Sequence, residues 1–179
     1  MMGLKDFYKK QVVPQLMQDF EFKNSMAVPR LEKVTVNVGL GKGLKDSNFI
    51  EAVEKTLVEI TGQKPIKTKA KKSISSFKIR KGMDVGMKVT LRGARMYDFV
   101  ERLISVTLPR VRDFRGIAPK IVDKNGNMSL GIRESHAFSE VKVEEIQTVH
   151  PLEVTVTTTA KNYEQGLALL KYLGFPFKS

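Results

Sequence analysis

The sequence predicts an α+β fold in which a mainly antiparallel sheet carries helices packed on one face. Three observations support this. Residues 33–38, 85–92 and 152–158 alternate apolar and polar side chains with the period of a half-buried strand. Residues 49–60 and 96–107 instead place apolar side chains at helical spacing. Helices and mainly hairpin-linked strands follow one another without the regular βαβ rhythm of a parallel sheet, and no internal repeat or long linker interrupts them. A single domain over residues 1–179 is therefore expected.

Each element has its own justification. Leu4, Phe7, Tyr8, Val12, Leu16 and Phe20 lie near helical spacing, in a helix that Pro14 should kink or restart. In 33–38, Val34, Val36 and Val38 share one face, while Lys33, Thr35 and Asn37 share the other. A glycine-rich turn then leads to a helical stripe of Phe49, Ile50, Val53, Leu57 and Ile60, with Ser47 or Asn48 as the expected cap and Gly62 as the stop. Residues 64–81 read as two short strands joined by an exposed basic loop at about 69–81. In the next strand Val89 and Leu91 point inward and Lys88, Thr90 and Arg92 outward. Met96, Phe99, Val100, Leu103, Ile104 and Thr107 form the strongest helical stripe in the chain. Asn125-Gly126 suits a tight hairpin turn between Ile121 and 128–132. Leu152, Val154 and Val156 face inward, with Glu153, Thr155 and Thr157 outward. Asn162 and Gln165 resemble a capping box opening a last helix through Leu167, Leu170 and Leu173, stopped by Gly174 and Pro176. Layered in this way, the elements make an RRM-like or ferredoxin-like two-layer sandwich.

Charge narrows the function. The chain has 31 Lys and Arg against 19 Asp and Glu, a net charge of +12. Residues 64–95 hold 11 of those basic residues and one acid, leaving 20 basic and 18 acidic groups elsewhere. That concentration points to a polyanionic partner, nucleic acid first and an anionic membrane surface second. No stretch approaches the ~18 apolar residues of a membrane span, and the absence of cysteine excludes disulfides, thiolate metal sites and a Cys nucleophile. A cytoplasmic, soluble protein without a cofactor is expected.

The outward strand positions carry hydrogen-bonding and cationic groups but no aromatic. The bland reading is a solvated sheet face, as on many one-sided antiparallel sheets. The excess charge favours RNA docking instead, and the lack of stacking platforms favours a folded RNA gripped through phosphates and 2′-hydroxyls over a single strand. Arg92, Arg95, Arg110, Arg112 and Arg115 also fit plain surface charges.

Catalytic motifs are missing. Gly39-Leu40-Gly41-Lys42-Gly43 sits where a phosphate loop would, but Leu44 breaks the GxGxxG spacing and no Walker-type run passes through Lys42. His136 and His150 are fourteen residues apart, without metal-ligand spacing, and neither a nucleophile elbow nor HExxH occurs. No small-molecule substrate is expected. Two rival readings stay open: a phosphate-binding module or enzyme built on the glycine turn, and a general basic RNA chaperone.

Several runs resemble the bacterial large-subunit ribosomal protein five family over essentially the whole chain. They are VPRLEKVTVNVGLG (28–41), ITGQKPIKTKAKKSISSFKIRKG (60–82), VTLRGARMYDFVERLISVTLPRVRDFRGI (89–117), GNMSLGIRE (126–134) and TTTAKNYEQGLALLKYLGFPF (157–177). The resemblance implies a non-enzymatic ribosomal RNA-binding domain, with 5S rRNA held on the sheet side in the central protuberance. It implies further contacts with 23S rRNA, P-site tRNA, neighbouring ribosomal proteins and a small-subunit head protein. Carried onto this sequence, the 5S-binding positions are Asn37, Gln63 and Thr90, with Lys33, Thr35, Lys88 and Arg92 as neighbours. The tRNA-contacting loop carries Lys69, Lys71, Lys72, Ser73, Lys78 and Arg80. Departures from the family pattern at Phe138-Ser139-Glu140-Val141-Lys142 and Val149-His150-Pro151 fall in the region associated with the inter-subunit bridge.

Overall fold

The computed structural model describes residues 3–41, 43, 46–141 and 150–178. Lys42 and Leu44 of the glycine turn, and Lys142 and Val149 of the departures, lie outside the described residues. Five strands form one sheet: β1 (Leu31–Gly39), β2 (Ile66–Lys69), β3 (Asp84–Leu91), β4 (Met128–Ile132) and β5 (Leu152–Thr158), in the order β2-β3-β1-β5-β4. The helices are α1 (Leu4–Phe7), α2 (Val13–Asp19), α3 (Ser47–Thr61), α4 (Gly93–Arg102), α5 (Leu108–Arg110) and α6 (Tyr163–Tyr172). The path β1-α3-β2-β3-α4-β5, with β1 central between β3 and β5, is the split βαβ arrangement that the sequence predicts, and β4 extends it beyond β5. The sheet is antiparallel and the architecture two-layered. The chain divides into two compact units, one of Met1–Val34, Leu91–Leu130 and Thr155–Ser179, the other of Thr35–Thr90 and Gly131–Val154.

In the first unit both proline-interrupted helices solve the same steric problem. A proline ring collides with the carbonyl four residues back. Ahead of Pro14 the helix widens into a π turn, Tyr8–Val12, whose Val13 N–H reaches Tyr8 O; ahead of Pro109 a second π turn, Leu103–Thr107, sends Leu108 N–H to Leu103 O. The expected kink or restart is thus absorbed as one extra residue in the turn. Tyr8, Val12, Leu16, Met96, Phe99, Val100 and Leu103 are buried. The Tyr8 hydroxyl donates to Pro29 O at 3.0 Å; burial, with Tyr97 adding and Arg30 opposing, pushes its pKa up to about 12.

The Asn-Gly segment is wider than a two-residue hairpin. Residues 119–121 form a 3₁₀ turn, Val122 and Met128 make a single bridge, and β4 pairs with β5. Asp123 closes the loop, its Oδ1 accepting from the N–H groups of Asn125 (2.9 Å) and Asn127 (2.8 Å) and its Oδ2 from Asn127 Nδ2 at 3.0 Å. Gly126, at φ +78°, then packs its backbone against Gly166 in the first turn of α6, where a Cβ would lie 2.2 Å from Gly126 Cα. Asn162 Oδ1 caps that helix by accepting from Gln165 N–H at 3.1 Å, as expected, and Gln165 Oε1 accepts from Lys161 N–H.

In the second unit Asp46, rather than Ser47 or Asn48, caps α3, its Oδ1 accepting from Asn48 N–H at 3.0 Å and Phe49 N–H at 3.4 Å. A carboxylate one residue earlier is at least as good a cap, so Ser47 and Asn48 become the first two helical residues. Gly62 ends α3 in the left-handed conformation, φ +65°. β2 pairs antiparallel with β3 in the register Ile66–Lys88, Lys67–Met87 and Thr68–Gly86, with a bulge before Lys69–Asp84. Gly86 is required there, since a Cβ would sit 2.9 Å from Thr68 Oγ1 and 3.1 Å from Val38 O.

Candidate nucleic-acid interface

The strand alternation decides which groups are presented. Val34, Val36, Val38, Val89 and Leu91 are buried to 1% exposure or less. On the opposite parity Asn37 and Lys88 are exposed and Thr35 and Thr90 half-buried. These four belong to the second unit, as does Gln63. Lys33, half-buried, and Arg92, exposed just ahead of α4, lie in the first unit.

Gln63 reaches β3 because of how α3 ends. The Thr61 hydroxyl donates back to Leu57 O at 2.6 Å, lies 3.1 Å from Gln63 O, and accepts from Gln63 N–H at 3.3 Å. Together with the left-handed Gly62, this corner directs the Gln63 amide to Thr90 O at 3.5 Å. Gln63 and Thr90, 27 residues apart, are thereby neighbours, and the Thr90 hydroxyl is not used by that contact. Ile66, opposite Lys88 on the edge strand, is 65% exposed, an apolar group that the polar-face expectation omits.

Not every cation in the basic segment is available. Lys64 and Lys67 both approach the Glu54 carboxylate on α3, at 3.8 and 3.9 Å. The six cations of 69–81, by contrast, face no acid within that segment. Lys69, Lys71, Lys72, Ser73, Lys78 and Arg80 are all exposed. The segment carries its own hydrogen bonds: Ala70 N–H to Met83 O, Gly82 N–H to Ala70 O, a two-way pairing of Ile74 with Ile79, and Lys81 N–H to Ser73 Oγ at 3.0 Å. A 3₁₀ turn at Ser75–Phe77 and a left-handed Lys78 make the tip, where Phe77 is 69% exposed.

The glycine turn has a packing role. Leu40 is buried, its N–H donates to Val85 O at 3.0 Å, and Gly43 N–H is taken by Leu40 O. A Cβ on Gly43 would lie 2.0 Å from the Phe49 ring, so this glycine makes room for a half-buried aromatic. The N–H groups of Leu40 and Gly43 are thus spent inside the fold instead of pointing at a phosphate. His150 is buried with its ring edge-on to Phe49, and His136 lies 3.1 Å from Glu134. Among the described residues no cluster of three metal-ligating side chains occurs, and no helix is long and apolar enough to cross a membrane.

Comparison with known proteins agrees with the resemblance in the sequence. The family model "Ribosomal protein L5" matches residues 24–80, and the model for the C-terminus of the same ribosomal family matches 84–177. The chain is 50% identical over 179 residues, all of both chains, to large ribosomal subunit protein uL5 of Geotalea uraniireducens. It is 52% identical over 175 residues to that of Chloroflexus aurantiacus, covering 98% of this chain and 97% of the relative.

The chain belongs to the uL5 family of ribosomal proteins.

A uL5 chain is a structural constituent of the large ribosomal subunit and not an enzyme. The uL5 protein of Halothermothrix orenii, 50% identical over 174 residues, covers 97% of both chains. The two matched family segments meet between 80 and 84, where the basic arm returns to β3.

Proposed function

We propose that this uL5 protein works in the large ribosomal subunit, in the cytoplasm, by holding folded 5S rRNA against the outward groups of β1 and β3. The supporting observation is the joining of Gln63 to Thr90 beside an accessible Asn37, Thr35 and Lys88. These groups offer donors, acceptors and one cation without an aromatic platform, which suits phosphate and 2′-hydroxyl contacts to an RNA of fixed shape. Lys33 and Arg92 supply flanking charge. The protein helps attach 5S rRNA to 23S rRNA among its neighbours in the central protuberance. The 69–81 arm, with its exposed cations, reaches P-site tRNA, and residues around 138–151 bridge to a small-subunit head protein.

The deciding experiment is a competition between 5S rRNA and an unrelated folded RNA as salt is raised. Specific recognition persists where the counterion-release contribution has faded, whereas a general chaperone loses both RNAs in parallel. Asn37→Ala or Thr90→Ala is expected to weaken 5S binding by about 1 kcal/mol each. Unchanged affinity in both would move the site off these strands.

A further inference from the structure

A cleft of about 400 Å³ opens at the Gly39 end of β1, lined by Asn37, Gly39, Gly131, Arg133, Pro151 and Glu153. All six belong to the second unit, and the volume is in the range of small-ligand sites. Gly39 and Gly131 have no side chain to fill it, and a Cβ built on either would meet nothing within 4 Å. Glu153 occupies an outward, exposed position of β5 between these glycine-bearing strands. No ion pair among the described residues engages Glu153 or Arg133.

An exposed carboxylate is out of place on a surface meant for phosphates, which it repels. The RNA groups it can favour are N–H and O–H donors. Guanine alone among the four bases presents two adjacent N–H donors on one edge, N1–H and N2–H, matching the two oxygens of a carboxylate, with the O6 acceptor beside them. In a paired guanine that edge is occupied.

We propose that this cleft receives one unpaired guanine of the bound RNA. Glu153 accepts from N1–H and N2–H, the Asn37 amide donates to O6, and Arg133 meets the phosphate of the same nucleotide. Pro151 gives the base an apolar wall, and the two glycines let it lie close to the sheet backbone. The inference rests on the proposed docking of 5S rRNA to these strands and adds a base-specific contact to it.

The test uses the full chain with 5S rRNA, probed in parallel by kethoxal, which reacts at guanine N1 and N2, and by hydroxyl-radical cleavage of the backbone. The wild-type protein should shield at least one guanine from kethoxal. Glu153→Ala and the isosteric Glu153→Gln should lose that protection and bind about tenfold more weakly, while keeping the backbone footprint, which also reports that they fold. A plain surface acid behaves oppositely, because removing a negative charge strengthens binding to a polyanion. Equal or tighter binding by Glu153→Ala, or guanine reactivity that does not change between wild type and variants, overturns the proposal. Absence of any wild-type backbone footprint on 5S rRNA would instead overturn the docking itself.

Discussion

At Gly166 one missing methyl group allows a loop and a helix to touch. A Cβ there would meet Gly126 Cα, O and C at 2.2, 2.6 and 2.8 Å, and these are backbone atoms that cannot rotate away. Gly166→Ala is therefore expected to destabilise the protein by about 2–4 kcal/mol, read as a lower urea midpoint at unchanged m value. Sequence alone marks Gly126 as a turn residue but gives no hint that Gly166, inside a helical pattern, is its contact. The candidate RNA-binding residues divide similarly. Asn37, Lys88 and Thr90 are legible from alternation, because a period of two fixes which side of a strand faces out. Gln63 lies at a helix end where no periodicity applies, and only the resemblance pointed to it. Glu153 was legible as outward, but not as part of a cleft, since its neighbours come from three strands.

At the scale of elements, prolines and caps show where local rules bend. Pro14 lies in an apolar stripe that continues past it to the buried Leu16, so burial of that stripe outweighs the steric cost and the helix takes a π turn instead of ending, whereas the helix of Pro109 takes its π turn to bury Leu108 and ends at Arg110. The Asp123 loop shows electrostatics in a turn. Partial desolvation works to raise the Asp123 pKa, but hydrogen bonds from the Asn127 side chain and from the N–H groups of Asn127, Asn125 and Gly126 together hold it below the usual carboxylate value. A carboxylate with a depressed folded-state pKa stabilises the protein above its unfolded pKa near 4, and this contribution is lost as pH falls through the folded value. Urea unfolding between pH 5.5 and pH 2.5 (about 1.5 units either side of that pKa) should show the advantage of wild type over Asp123→Asn shrinking as pH drops below about 4. An advantage independent of pH would mean that the loop does not depend on the carboxylate charge.

For the whole molecule, the question is how its +12 charge is distributed among partners. Most of it lies in 64–95, and the structure separates that segment into cations tied to Glu54, cations on the sheet and a free-standing arm. Because the arm holds itself with its own hydrogen bonds, altering its exposed lysines should not disturb β1 or β3. Lys71→Ala combined with Lys72→Ala is expected to leave isolated 5S affinity, and its salt slope, nearly unchanged while weakening the tRNA contact in assembled ribosomes. A fall in the 5S salt slope by about two would place the arm on 5S rRNA.

The sequence by itself determined the two-layer α+β class, the buried and outward faces of β1, β3 and β5, the basic segment and the family, because hydrophobic period and charge are properties of neighbouring residues. Only the tertiary structure decided the place of β4 beyond β5, the joining of Gln63 to Thr90, the Gly126–Gly166 contact and the cleft around Glu153. Each depends on residues far apart in the chain being brought together by the burial of a common core, and no local pattern encodes which distant residue will arrive.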